Sequence, residues 1–229
     1  MAKKILAIIP ARGESKTIPR KNVKLLAGKP LIAYIIETAK RVKAIERVIV
    51  STEDTKIAKI AKEYGAEIPF MRTKPLATDQ TPTLPVVQHA VAMLKEKESY
   101  TPDYIMLLYP TSPLLSAKRI EEAIALALKQ NADSVVSGTY DKGHYWIESE
   151  KGHQRLYPKN LENRQQTQPL FKENGAIYLT KTEILEHQLV ADTIVPLIME
   201  EGETIDIDTM EDFRRVERIL NRISHSKKL

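Results

Sequence analysis

The sequence predicts an α/β fold of three layers, in which a mostly parallel sheet lies between two layers of helices. Short apolar runs without helical periodicity alternate along the chain with longer amphipathic stretches, as expected for buried strands joined by helices. Because such crossover connections are right-handed, the strands they join are parallel and the helices cover both faces of the sheet. The 229 residues, of which 42% are apolar and 28% charged, predict a single domain over residues 1–229.

The first strand is the apolar run Ile5–Ile9, which ends at Pro10. Residues 11–29, called the basic loop here, follow it and carry six cationic side chains against one acid, Glu14. A strand and a helix are usually joined by only about 2–6 residues. Since ligands of open α/β sheets bind beyond the carboxyl ends of the strands, the basic loop predicts a polyphosphate site. The six cations are Arg12, Lys16, Arg20, Lys21, Lys24 and Lys29.

The strand and helix alternation continues to residue 140. Residues 72–85 form a loop rich in Thr and Pro, and its segment Pro75–Asp79 is a candidate ligand loop. The segment Tyr109–Pro113, which contains two prolines, predicts a stiff turn at the carboxyl edge of the sheet. Gly65 is a suitable residue to end a helix. We predict helices over residues 28–42, 57–64, 84–97 and 116–130, and strands over 48–50, 68–70, 104–108 and 134–140.

Residues 141–172 predict an excursion from the sheet, because polar and aromatic residues replace the helical periodicity there. Tyr145 and Trp146 in this excursion are interpreted either as a patch that faces a partner or as core residues. Strands are predicted again over residues 174–178 and 193–198, and an amphipathic helix closes the chain.

The segment Ile205–Asp208 before that helix predicts a metal site. In an extended segment alternate side chains share a face, so Asp206 and Asp208 point one way while Ile205 and Ile207 point into the core. Magnesium is usually bound by one or two carboxylates together with substrate phosphates. The alternatives are that Asp208 only caps the helix and that the basic loop is only solvated surface. A triphosphate site and a magnesium site together describe a nucleotidyltransferase.

Composition and motifs argue against several other classes of protein. The chain has neither GxxxxGK[ST] nor GxGxxG, which disfavours a P-loop ATPase and a dinucleotide-binding site. It has no cysteine, so disulfides, thiolate metal sites and a cysteine nucleophile are excluded. The net charge of +5 is concentrated in the basic loop and the tail without interleaved aromatic residues, so we expect no nucleic-acid partner. With no signal peptide and no run of about 20 apolar residues, we expect a cytoplasmic protein without membrane contact.

Seven motifs of the chain resemble those of the acylneuraminate cytidylyltransferases, which comprise the CMP-sialic acid synthetases and their relatives. The resemblance covers nearly the whole chain and implies a Rossmann-like nucleotidyltransferase fold. It also implies a homodimer, dependent on Mg²⁺ or alternatively Mn²⁺, that transfers CMP from CTP to a nonulosonic acid and releases pyrophosphate. A nonulosonic acid is a nine-carbon 2-keto sugar acid. The motifs are, in order, IPARGESKTIPRKN, GKPLI, VIVSTED, LATD, LLYPTSPL, ENGAIY and IDIDTMED.

The resemblance also assigns individual residues to the nucleotide, the metal and the sugar. Asp206 and Asp208 correspond to the metal-binding pair, and the resemblance gives catalytic roles to Arg12, Lys21 and Asp208. The residues it places on the triphosphate are Arg12, Lys16 and Lys21, with Asn22 beside them, and those near the cytidine are Arg72 and Ala77 to Asp79. The residues it places on the acceptor sugar are Tyr109, Arg164, Lys172, Asn174 and Tyr178. Residues 141–172 correspond to a dimerisation segment that reaches toward the neighbouring active site.

Three positions depart from the pattern of the family. Tyr109 stands where a glutamine is usual, and Lys172 stands where an arginine is frequent, both near the acceptor. The acceptor is therefore left open among sialic, pseudaminic, legionaminic and 3-deoxy-octulosonic acids. Glu14 replaces a neutral residue and adds repulsion toward phosphate. Outside this chemistry, the alternatives are a non-catalytic module that binds nucleotide or sugar, and a basic protein that binds RNA or DNA.

Overall fold

The computed structural model describes residues 3–156, 169–200 and 202–226. In this part of the chain the five helices are α1 Leu31–Lys40, α2 Thr55–Glu63, α3 Thr83–Glu98, α4 Ala117–Gln130 and α5 Met210–Ser226. The ten strands there are β1 Ile5–Pro10, β2 Leu25–Leu26, β3 Lys29–Pro30, β4 Arg47–Ser51, β5 Tyr104–Leu107, β6 Ser134–Asp141, β7 Trp146–Ser149, β8 Gly152–Arg155, β9 Leu170–Lys181 and β10 Val195–Ile198.

Six strands form the central sheet in the order β10-β6-β9-β5-β1-β4. Strand β1 lies in the middle of its parallel part, with Ile8 opposite Ile49 of β4 on one side and opposite Leu107 of β5 on the other. Strand β9 runs antiparallel to both β5 and β6, whereas β10 is parallel to β6. The mostly parallel α/β fold that the sequence predicts is therefore confirmed.

The apolar core lies on both faces of this sheet, as strands buried on two sides require. Ile5, Ala7 and Ile9 of β1 belong to a cluster with residues of α1, α2 and α4. Leu6 and Ile8 point to the opposite face and belong to a cluster with residues of α3. The chain therefore has the predicted three layers, and no helix of its described residues is long and apolar enough to cross a bilayer.

A third apolar cluster joins the basic loop to the C-terminal helix. Ile18 of the basic loop and Ile207, between the two predicted metal ligands, are both fully buried in it. Phe213 and Val216 of α5 complete their packing. Because both segments share one buried cluster, the basic loop and the acidic pair are fixed on the same side of the molecule.

Two predicted elements are wrong in detail. Residues 68–70 do not form a strand; Pro69 lacks a backbone N–H, and only the preceding Glu67 makes an isolated bridge to Ile49. The helix predicted from residue 28 begins at Leu31, because β2 and β3 form a short hairpin before it. The two residues of the hairpin turn, Ala27 and Gly28, have φ angles of 46° and 83°.

The excursion begins as an extension of β6 and β9 beyond the sheet. Asp141 still pairs with Leu170 there, and β7 and β8 form a separate two-stranded hairpin between them. Tyr145 and Trp146 are 36% and 49% exposed, so they are not core residues of this chain. Residues 157–168, which include Arg164, lie outside the described residues, and the dimerisation role of residues 141–172 stays a prediction.

Candidate active site

The carboxyl ends of the neighbouring strands β1 and β5 open into a cleft of about 470 Å³. The basic loop, the loop before α3, the turn after β5 and the segment before α5 surround it. Eight of the predicted site residues contribute to its lining. They are Arg12, Lys16, Lys21, Asn22, Arg72, Asp79, Tyr109 and Asp208.

Two acids after β4 hold the start of the basic loop. The Oε1 atom of Glu53 accepts a hydrogen bond of 2.6 Å from the backbone N–H of Gly13, and its Oε2 atom lies 2.7 Å from Arg72. A Cβ at position 13 would lie 2.7 Å from Oδ2 of Asp54, so glycine permits this close approach. Glu53 therefore couples the basic loop to the buried Arg72 at the edge of the cleft.

Three of the six cations of the basic loop lie outside the lining of the cleft. Arg20 pairs with Asp54 at 2.5 Å, and Lys29 pairs with Glu37 at 2.7 Å. Lys24 lies 5.7 Å from the centre of the Phe213 ring. Of the six cations, Arg12, Lys16 and Lys21 line the cleft, and these are the three that the family resemblance singles out.

Arg12 and Lys16 face a carboxylate from the opposite wall of the cleft. Asp79 accepts from Arg12 at 2.6 Å through Oδ1 and lies 3.1 Å from Lys16 through Oδ2. The amide of Asn22 donates to the backbone oxygen of Arg12 at 2.9 Å, which fixes the path of the basic loop. Ala77 lies in a short 3-10 turn, Lys74–Ala77, that leads to Asp79.

Lys21 is the most enclosed of these cations, with 13% of its side chain exposed. Its ammonium group donates to the backbone oxygen of Ile207 at 2.7 Å and lies 3.6 Å from Oδ1 of Asp208. The backbone N–H of Ile207 donates to the backbone oxygen of Thr111 at 2.9 Å, and this bond connects the segment to the turn after β5. Lys21 therefore links the basic loop to the acidic pair.

The two acids of the pair flank the buried Ile207 and are both exposed, as the predicted alternation requires. Desolvation, followed by the charge of Asp208, raises the pKa of Asp206, although Thr111 and Lys21 oppose this shift. The side chain of Asp212 accepts from the backbone N–H of Thr209 at 2.8 Å, and the hydroxyl of Thr209 accepts from the backbone N–H of Asp212 at 3.2 Å. These two residues therefore cap α5. Asp208 is therefore not the cap of the helix.

Tyr109, in the turn after β5, lines the cleft, and Tyr178 packs against it from outside the lining. Tyr109 shares a hydrogen bond of 3.1 Å with Thr83, and its ring meets the ring of Tyr178 edge to face, with 6.3 Å between centroids. Desolvation is the main cause that raises the pKa of both phenols. The hydroxyl of Tyr178 donates to Glu173 at 2.9 Å.

Two other predicted sugar residues lie on β9 before Tyr178. The side-chain oxygen of Asn174 accepts from Ser137 at 2.6 Å and from the N–H of Ala176 at 3.2 Å, so it holds an irregular turn of the strand. Lys172 is exposed opposite Thr139 of β6. Arg164 lies outside the described residues, and the sugar contacts of all three stay predictions.

Comparisons with known proteins agree with this geometry. A sequence profile described as Cytidylyltransferase matches residues 6–224. The chain belongs to the cytidylyltransferase family. A CMP-N,N'-diacetyllegionaminic acid synthase of Legionella pneumophila is 35% identical to this cytidylyltransferase over 95% of this chain and 96% of its own. A pseudaminic acid cytidylyltransferase of Campylobacter jejuni is 31% identical over 97% and 98%.

A longer relative and a solved structure extend this agreement. An N-acylneuraminate cytidylyltransferase of Escherichia coli is 33% identical to this cytidylyltransferase over 93% of this chain, which matches 51% of the longer protein. The solved CMP:2-keto-3-deoxy-manno-octonic acid synthetase complexed with CTP has a TM-score of 0.71 at 16% identity and covers 96% of this chain and 99% of its own. At that identity, the likeness shows the nucleotidyltransferase fold.

Three polar residues of this cytidylyltransferase were not among the predicted site residues. Glu53 and Asp54 belong to the motif VIVSTED, and their position directly after a buried strand is the signal by which they could have been found. Thr83 opens α3 and contacts Tyr109, but nothing in the sequence distinguishes it from an ordinary residue of a helix start.

Proposed function

We propose that this enzyme transfers CMP from CTP to the anomeric hydroxyl of a nonulosonic acid and releases pyrophosphate. The observation that carries the proposal is the cleft itself, in which three cations from the basic loop line the same space as Asp208, and one of them, Lys21, lies 3.6 Å from that carboxylate. The proposal is supported by relatives named as synthases or cytidylyltransferases of legionaminic, pseudaminic and acylneuraminic acids.

Positioning and charge neutralisation carry the proposed mechanism. The anomeric hydroxyl attacks the α-phosphorus in line, so that an O–P bond forms as the bond to the β-phosphate oxygen breaks, and the hydroxyl proton passes to a carboxylate or to water. Arg12, Lys16 and Lys21 neutralise the charge that builds on the leaving pyrophosphate. The hydrogen bond from Lys21 to Ile207 keeps its ammonium beside the reacting phosphates rather than in solvent. The part of the cleft beside Tyr109 receives the sugar.

The donor set of the acidic pair fits Mg²⁺, with Mn²⁺ as the alternative. Asp206 and Asp208 present carboxylate oxygens on the exposed side of one segment, and Mg²⁺ is commonly held by one or two carboxylates plus phosphate oxygens. No group of three or more acidic, His or Cys side chains that could hold a metal occurs within the described residues. The two aspartates would therefore hold the ion together with the triphosphate, and the ion would supply further charge neutralisation.

The proposal includes a homodimer built on the excursion. Five apolar side chains in the excursion or directly before it are 42–52% exposed in this chain, which favours burial against a second copy. They are Tyr140, Trp146, Ile147, Leu156 and Leu170. Sedimentation of the wild type and of Trp146→Asp tests this part, and a wild-type monomer at micromolar concentration would reject it. A cytoplasmic location accompanies the proposal, since nucleoside triphosphates are made and used inside the cell.

Pyrophosphate release tests the reaction directly. The wild type is assayed with CTP and Mg²⁺ against N-acetylneuraminic, legionaminic, pseudaminic and 3-deoxy-octulosonic acids, with ATP, GTP and UTP as controls. We expect release with CTP and one or more of the nine-carbon acids. Asp208→Ala is expected to lose Mg²⁺-dependent turnover, whereas Glu211→Gln, a change of a nearby exposed carboxyl in α5, retains it. CTP binding without release across the panel would indicate a non-catalytic binding module.

A further inference from the structure

Each end of β4 is flanked by an ion pair between an arginine and an acid, but the two arginines differ in how many of their donors are paired. At the amino end, Arg47 donates through Nε and Nη2 to Glu67 and through Nη1 to Glu98. Beyond the carboxyl end, Glu53 accepts from Nη2 of Arg72 at 2.7 Å and is the only partner of that side chain within the described residues. The pairing of Arg47 is therefore complete, whereas that of Arg72 is not.

Arg72 is also the more deeply buried of the two arginines. Its side chain is 4% exposed, against 17% for Arg47, and its Nε atom is buried without a hydrogen-bond partner in the described part of the protein. Arg72 nevertheless lines the cleft. A buried donor without an acceptor is costly, and a ligand that supplies an acceptor removes that cost. The incomplete pairing of Arg72 therefore indicates a side chain that receives a ligand while Glu53 holds it.

The other oxygen of Glu53 fixes the basic loop next to Arg12. Its Oε1 atom accepts from the backbone N–H of Gly13 at 2.6 Å, and the backbone oxygen of Arg12, in the same peptide unit, accepts from Asn22 at 2.9 Å. The peptide after Arg12 is thus held at both of its polar groups. Because both partners of Glu53 are donors, a carboxylate satisfies both, whereas the amide of a glutamine would turn its NH2 group toward one of them.

We propose that Glu53 is a positioning residue for the nucleotide, which holds both Arg72 and the peptide after Arg12 in place. This inference rests on the proposed function. Glu53 is not among the residues that line the cleft, so it acts through these two partners. The family resemblance places Arg72 near the cytidine and Arg12 on the triphosphate. One carboxylate therefore sets the distance between the two parts of the nucleotide site.

The test is a double-variant cycle on the dissociation constant of CTP, measured by calorimetry in the presence of Mg²⁺. The proteins are the wild type, Glu53→Gln, Arg72→Met and the variant with both changes. The matched control is Glu67→Gln, which breaks the corresponding pair with Arg47 at the other end of β4. The free energy of unfolding and the KM for the sugar acid are measured on the same five proteins.

We expect Glu53→Gln to raise the dissociation constant of CTP about tenfold, the usual effect of losing one hydrogen bond to a charged group. Arg72→Met should raise it at least as much. Adding Glu53→Gln to Arg72→Met should change it by less than about twofold, because the effect passes through Arg72. Glu67→Gln should lower the free energy of unfolding without a change in CTP affinity, and the KM for the sugar acid should stay constant throughout.

The contact with Gly13 is tested in the Arg72→Met background, where no buried cation is left unpaired. There, Glu53→Gln keeps an oxygen for the Gly13 N–H, whereas Glu53→Ala removes it. We expect Glu53→Ala to bind inorganic pyrophosphate about threefold or more weakly than Glu53→Gln in this background, the cost of one lost hydrogen bond. Equal affinities would overturn the role of Glu53 at Gly13.

Two further results would overturn the inference as a whole. One is a dissociation constant of CTP that changes less than about twofold in Glu53→Gln, and the other is an equal loss of CTP affinity in Glu67→Gln. Pyrophosphate release by the wild type would leave the proposed function intact in both cases. A wild type that neither binds CTP nor releases pyrophosphate would reject the proposed function and the inference together.

Discussion

The two ends of the cleft are built by different means. At the phosphate end, side chains come from loops after parallel strands and are held by ion pairs, such as Glu53 with Arg72 and Asp79 with Arg12. At the acceptor end, Tyr178 of the antiparallel strand β9 packs on Tyr109, and an irregularity of β9 brings Glu173, five residues earlier, into contact with Tyr178. Under the proposed function, polyphosphate recognition would depend on charge, whereas acceptor recognition would depend on the exact path of one strand.

The largest effect should come from removing Lys21, the cation that joins the basic loop to the acidic pair. We expect Lys21→Met to lower kcat for pyrophosphate release by about 100-fold or more, because a buried donor aimed at developing charge is commonly worth that much. Lys24→Met is the control, since Lys24 packs on Phe213 outside the lining of the cleft. Equal losses in both variants would mean that the basic loop acts only through its total charge.

Removing Ser137 tests the acceptor end. Its hydroxyl donates to Asn174 at 2.6 Å and accepts from the N–H of Ile177 at 2.8 Å. We expect Ser137→Ala to lower the free energy of unfolding by about 1–3 kcal/mol and to raise the KM for the sugar acid, with CTP affinity unchanged.

The matched control for this variant is Ser134→Ala, also in β6. That serine bonds Thr180 at 3.0 Å and the N–H of Ala191 at 2.9 Å, away from the irregular part of β9. Ser134→Ala should lower the free energy of unfolding, measured with urea, by about as much as Ser137→Ala does. It should change neither the KM for the sugar acid nor the KM for CTP. A similar rise of the sugar KM in both variants would show that stability, and not the path of β9, controls the acceptor end.

Asp79 should oppose ligand binding at the phosphate end. Its carboxylate occupies the donors of Arg12 and Lys16 that a triphosphate would use. We expect Asp79→Asn to bind inorganic pyrophosphate about two- to tenfold more tightly, since two partly exposed ion pairs are lost from the free protein. Calorimetric titration measures this change, and Asp103→Asn, which breaks the remote pair with Lys3, is the control. Weaker binding by Asp79→Asn would instead show that Asp79 contacts the ligand or its metal.

The smallest effect concerns the pair of Arg20 and Asp54 beside the phosphate end. The hydrogen bond from Arg20 is the main cause that lowers the pKa of Asp54 below its usual range, and hydrogen bonds from the N–H groups at the start of α2 lower it further. The stability that this shift contributes is present above the unfolded pKa of about 3.9 and is lost as the pH falls through the lower folded value. Asn keeps the capping oxygen, so Asp54→Asn should cost about 0.5–1 kcal/mol at pH 7. The free energies of unfolding of the wild type and Asp54→Asn, measured with urea, should converge as the pH falls toward 2. A difference that stays constant with pH would show that the substitution removes the helix cap instead.

Local patterns were sufficient where a feature depends on residues close together in the chain. The run Ile5–Ile9 predicted the central strand, and the alternation in Ile205–Asp208 predicted the burial of Ile207, whereas Ile205 is only partly buried. Residues 68–70 were assigned wrongly, because apolar spacing suggested a strand although Pro69 cannot donate to a ladder. The charges of the basic loop predicted an anion site, but they did not predict which three of the six cations line the cleft.

The sequence by itself determined the α/β class, the place of the basic loop after β1 and the acidic pair before α5, since period and composition encode them directly. Only the tertiary structure decided that Glu53 couples Gly13 to Arg72, that Asp79 faces Arg12, and that Glu173 joins Tyr178. The physical reason is that such contacts depend on strand order and on one irregular register, which bring together residues from distant parts of the chain or reverse the direction of a side chain.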